Sequence, residues 1–73
     1  MLREKYLESL GLSEKEAIVY LELLRSDVMS GIELSRETGI KKPTIYLILG
    51  SLKAKDLIKE VSVGKRTHFV AEP

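Results

Sequence analysis

The 73-residue chain has no cysteine and no tryptophan, and only one histidine, one phenylalanine and two prolines. Without cysteine there is neither a disulfide nor a thiolate metal site. A lone His68, beside Phe69 in a strand-like stretch, has no second ligand at metal spacing and reads as a surface strand residue. No apolar run approaches the roughly 18 residues of a membrane span. The opening MLREKYLESL carries acids and lacks a long apolar stretch, so it does not read as a secretory signal. No glycine-rich phosphate loop and no carboxylate pair facing a pocket stand out, so nothing supports an enzyme. The expectation is a cytoplasmic protein with no cofactor, no metal and no small-molecule ligand evident.

What is present fits one small domain over residues 1–73, near the lower size limit for an unaided core, with an ordinary apolar content of 44%. Net charge is +1, but it is unevenly spread. Residues 1–40 carry five cations against eight anions (net −3), and residues 41–73 carry seven cations against three anions (net +4). A basic half joined to an acidic half suggests one surface suited to a polyanion and another suited to something else.

Hydrophobic spacing divides the chain into elements. Leu2, Tyr6 and Leu10, with Leu7 beside them, predict a short helix over 2–10 that Gly11 stops. Ser13 and Glu16 form a capping box that opens a helix over about 14–26. Its inner stripe is expected to be Ala17, Tyr20, Leu21 and Leu24, with Ile18 on the flank and Leu23 on the exposed side. Ser30 and Glu33 make a second box before a helix over 31–38 with Ile32, Leu34 and Ser35 inward. Pro43 sets the first turn of a fourth helix running to about Lys55, since its missing N–H costs nothing there. Ile45, Ile48, Leu49, Leu52 and Asp56 share its core side, and residues 43, 47, 50, 51 and 54 lie opposite. Beyond Leu57, two stretches rich in β-branched residues, 58–63 and 67–71, flank Val63-Gly64-Lys65-Arg66 and predict a hairpin with a basic tip.

The segment SGIELSRETGIKKPTIYLILGSL has helix-turn-helix spacing. Ser35 is small where a second helix crosses, Gly39 supplies a positive φ at the helix end, and Ile40 plugs the corner. Such a pair sets a helix into a DNA major groove. With the hairpin behind it, the fold expected is mainly α with a small β-hairpin, a winged helix-turn-helix of order α-α-α-α-β-β.

LGLSEKEAIVYLELL, GIKKPTIYLILGSLKAKDLI and the GKRTHFVAEP tail resemble the N-terminal domain of TrmB-type transcriptional regulators, within the MarR/ArsR-like winged-helix class. The similarity covers about residues 8–73 and is most specific from Leu10 to Tyr20 and at Ile45-Tyr46 with Leu49, Leu52, Leu57 and Ile58. It implies double-stranded DNA binding by the helix that begins near Pro43, assisted by the wing, in a prokaryotic, often archaeal, and usually dimeric regulator. Larger members add a C-terminal sugar-binding or dimerisation region, so sugar sensing does not carry over to these residues. Two departures stand out: the family tends to place polar or basic residues where Pro43 and Thr44 stand, and Gly50 is unusual inside the recognition helix.

The candidate DNA-binding residues follow. Lys41 and Lys42 stand at the turn and helix N-terminus, where a phosphate would complete the site. Pro43, Thr44, Leu47 and Ser51 lie on the outer face, with Tyr46 on its shoulder. Leu47 is suited to a thymine methyl, and Thr44 and Ser51 to a phosphate or base edge. Lys65 and Arg66 crown the wing, with Lys53 and Lys59 as weaker candidates. Leu2, Tyr6 and Leu10 are the expected homodimer contact, with capping of the chain's own core as the alternative. A protein-interaction adaptor is the competing reading, because the same fold serves that role and the first half is acidic.

Overall fold

The computed structural model describes residues 11–72. The helix expected over 2–10, with Leu2, Tyr6, Leu7 and Leu10, lies outside the described residues. Three helices and a small antiparallel sheet follow: α1 (Glu14–Arg25), β1 (Met29–Ser30), α2 (Gly31–Thr38), α3 (Lys42–Ala54), β2 (Ile58–Val63) and β3 (Arg66–Ala71).

Both capping boxes form. The Ser13 hydroxyl accepts from the Glu16 amide while Glu16 accepts from the Ser13 amide, and Ser30 and Glu33 repeat the exchange at α2. Each satisfies two amides that a helix start leaves unpaired. Gly39 ends α2 at φ 75°, in the left-handed region glycine tolerates best. The Ser35 hydroxyl donates to the Ile40 carbonyl across the turn at 2.6 Å, so this small residue stitches the corner as well as leaving room in it. Pro43 occupies the first turn of α3, which Lys41 enters without a side-chain cap.

The core side of α3 is Ile45, Ile48, Leu49 and Leu52, packed with Leu12, Val19, Leu23, Leu34, Ile58 and Phe69 in one cluster. Asp56 does not join it. The helix ends at Ala54, and Asp56 is exposed at φ 58°, where the Asp56 amide donates to the Lys53 carbonyl and the Leu57 amide to the Leu52 carbonyl. That pair of bonds is a Schellman ending with aspartate in the position usually held by glycine, so helical spacing stops applying one residue too early for Asp56 to face inward.

Two stripes are rotated relative to expectation. In α1, Leu23 is fully buried and Leu24 is 49% exposed, the reverse of the sequence reading, and Val19 and Glu16 face inward. Seven of the eight residues from Ala17 to Leu24 are apolar, so their spacing defines no single phase. Tertiary contacts choose one. In α2, Leu34 is buried but Ile32 is 42% exposed, because an eight-residue helix has only one narrow side against the core.

The hairpin pairs Val63 with Arg66 across a two-residue turn opened by Gly64 at φ 65°, the arrangement that matches strand twist. The strand order is β1-β3-β2, with Met29 opposite Phe69 and Ser30 opposite His68. β1 was not foreseen. Two residues between helices carry no alternation, and only the edge of β3 makes them a strand.

Candidate nucleic-acid interface

The outer side of α3 faces solvent along its length. Pro43, Leu47, Gly50 and Ala54, spaced i, i+4, i+7 and i+11, are all exposed, and Leu47 reaches 76%. Tyr46, on the shoulder, is 51% exposed. Its ring crosses Gly31 so closely that a Cβ there would sit 2.7 Å from Tyr46 Cζ. Gly31 is therefore the small residue that lets α3 lean on the start of α2. Tyr46, Gly31, Ile32, Ser30, Phe69, Thr67 and Arg66 line one cleft, which joins the shoulder of α3 to the root of the wing. Helical spacing places Ile32 in the core and not in this cleft, and Thr67 carries neither a charge nor a motif that would single it out.

Thr44 and Ser51 depart from the expected outer face. Thr44 is half-buried. Ser51 is half-buried too, and its hydroxyl proton is donated to Glu16 Oε2 on α1. A serine that spends its one donor inside the fold has none left for a phosphate, so Ser51 is corrected from an outward contact to a bond between helices. Glu16 also receives Lys55 Nζ at 3.2 Å. Burial opposes ionisation of Glu16, but the Ser13 amide, the Ser51 hydroxyl and the Lys55 ammonium outweigh it and hold its pKa at about 2. Glu33 is held below the usual carboxylate range by the Ser30 amide and hydroxyl.

The seven cations of the basic half, residues 41–73, divide into two groups. Lys53 pairs with Glu60 at 3.1 Å, Lys55 with Glu16, and Lys59 with Glu72 at 3.4 Å. The first two bonds tie α3 to β2 and its C-cap to α1, the third ties β2 to the end of β3, and together they occupy the two lysines counted as weaker candidates. Lys41, Lys42, Lys65 and Arg66 are exposed, and among the described residues none of them forms an ion pair. Two stand at the N-terminal end of α3, where the helix dipole adds to their field, and two at the wing. Three acids, Glu16, Glu60 and Glu72, are thus spent on lysines away from the outer side of α3. His68 is half-buried, with Nδ1 3.4 Å from the Arg66 carbonyl, and among the described residues no group of acidic, histidine or cysteine side chains is placed to hold a metal ion. No helix of the described residues is long and apolar enough to cross a membrane.

The fold is that of MarR-type winged helices. The crystal structure of the oxidised form of MarR from E. coli superposes with a TM-score of 0.83 at 14% identity, covering 97% of this chain and 52% of that one. The transcriptional regulator PA3341 superposes with a TM-score of 0.83 at 30% identity, covering 96% of this chain and 54% of its own. By sequence, the chain is 32% identical over 76 residues to the HTH-type sugar sensing transcriptional regulator TrmBL1 of Pyrococcus furiosus. That alignment takes in 100% of this chain and 22% of the relative, so the chain spans about a fifth of that protein's length. The family profile described as sugar-specific transcriptional regulator TrmB matches residues 7–73. With nearly the whole sequence inside that match, the chain belongs to the TrmB family of transcriptional regulators.

Proposed function

We propose that this domain binds double-stranded DNA sequence-specifically, inserting α3 into the major groove and laying the hairpin wing along the neighbouring backbone, as the DNA-reading part of a transcriptional regulator. The observation that carries the reading is the division of the cations. Lys41, Lys42, Lys65 and Arg66 flank the bare side of α3 without partners among the described residues, while Lys53, Lys55 and Lys59 are paired at the surface with Glu60, Glu16 and Glu72. Unpaired cations around an exposed helix suit a row of phosphates. The cleft between Tyr46 and Arg66 supports helix and wing acting as one surface. Pro43, Tyr46 and Leu47 are the side chains offered to the groove, and Thr44 stands at its margin.

The domain works in this reading as a homodimer in the cytoplasm, on the nucleoid. Paired recognition helices address half-sites about 34 Å apart, one turn of DNA. What supports pairing is the small size of the core and the apolar spacing of Leu2, Tyr6 and Leu10. Sedimentation equilibrium checks this, and a monomer at high concentration removes it.

The test of the main reading is a fluorescence titration with mixed-sequence duplex at about 50 mM salt, followed by selection from a random duplex pool. Binding that weakens steeply with salt, with enrichment of one sequence, is the expected result. No binding at low salt overturns the reading and leaves the protein-interaction adaptor.

A further inference from the structure

We infer that Leu47 determines sequence specificity by apolar contact with the 5-methyl group of thymine, and that this domain selects sites with thymine beneath the middle of α3. The inference rests on the DNA-binding reading above and adds how the base sequence is read. The outward meridian of α3 is Pro43, Leu47, Gly50 and Ala54, and none of these side chains carries a hydrogen-bond donor or acceptor. Guanine readout by a forked arginine and adenine readout by an amide are therefore absent from this meridian. Of the two polar residues that flank its middle, Ser51 gives its proton to Glu16 and Tyr46 lies with its ring end against Gly31.

Leu47 projects furthest, at 76% exposure on a helix whose other aliphatic residues from Ile45 to Leu52 are buried. The major groove offers one apolar feature among its base edges, the thymine methyl. Gly50, one turn on, leaves the helix without a side chain beside Leu47, and a Cβ built there meets nothing within 4 Å in the fold. The helix can thus sit deep enough for a leucine to reach the groove floor. The surrounding charges commit the surface to a polyanion, because an apolar protein partner has no use for Lys41, Lys42, Lys65 and Arg66 at its margin.

The experiment takes the duplex recovered from the random pool and replaces each thymidine in turn by deoxyuridine, which keeps base pairing and removes only the methyl. At one or more positions, affinity of the unaltered protein is expected to fall roughly three- to tenfold, the scale of one buried methyl group. Leu47→Ala, whose intact fold is checked by thermal melting, binds the thymidine duplex as weakly as the deoxyuridine one. Equal affinity for all the deoxyuridine duplexes overturns the inference while leaving DNA binding intact. A methyl dependence that survives Leu47→Ala also overturns it, by assigning the contact to another residue. Recovery of no duplex from the pool removes the DNA reading and this inference together.

Discussion

Glu16 shows how one residue joins folding to the surface that matters. Its carboxylate closes the α1 capping box, accepts from Ser51 and pairs with Lys55. Its pKa is lowered from 4.5 to about 2 in the folded state. A depressed carboxylate stabilises the fold fully above the unfolded value and loses that contribution as pH falls through the folded value. Stability is therefore expected to decline between about pH 5 and pH 2, by on the order of 2 kcal/mol from this group. Urea denaturation across that range measures it, and Glu16→Gln should flatten the curve and lower stability at pH 7. The interface lysines behave differently. Lys41 and Lys42 are exposed and make no ion pair among the described residues. Lys41→Glu with Lys42→Glu should abolish duplex binding while moving the thermal midpoint little. A double variant that unfolds would reassign both lysines to structure.

At the scale of elements, what decides the geometry of α3 is how it starts and stops. The start is set by Gly39 and Pro43, the stop by Asp56 in the left-handed region. A non-glycine residue at such a position is strained by roughly 1 kcal/mol. Asp56→Gly relieves that strain but adds roughly 0.4–1 kcal/mol of unfolded-state freedom, so stability in thermal denaturation is expected to stay level or rise by up to about 0.5 kcal/mol, with DNA affinity unaffected. A clear loss would mean that the aspartate side chain compensates the strain locally. The sequence made the helix starts legible because a capping box is a local exchange between two residues three apart. It made the stop of α3 illegible, since Asp56 lies on the apolar stripe by spacing and only the backbone reversal takes it out. The hairpin was legible from Gly64 and the change of period, whereas β1 needed Phe69 and His68 of a distant strand beside it.

For the whole molecule, the net charge of +1 conceals a sorted surface. If four cations per chain neutralise phosphates, the logarithm of affinity should fall against the logarithm of salt concentration with a slope of about −3 to −4 per chain. Lys65→Ala with Arg66→Ala should bring that slope to about −2 per chain and weaken binding to all sequences alike, because phosphate contacts carry no base information. An unchanged slope would detach the wing from the interface. The candidate surface was legible in its positive residues, which stand at the turn and the wing tip wherever those elements point. It was not legible in Ser51, because spacing placed this residue outward and could not anticipate a carboxylate reaching across from α1.

The sequence alone determined the three described helices, the two capping boxes, the glycine turn and the hairpin, because each depends on residues close together along the chain. Tertiary structure alone decided the phase of α1, which puts Leu23 inside and Leu24 outside, the recruitment of Met29–Ser30 to the sheet, and which lysines are neutralised by acids. These are outcomes of contacts between residues far apart in the chain. An apolar run such as Ala17–Leu24 has several faces of nearly equal hydrophobicity, so the partner surface, and not the run itself, selects the one that is buried.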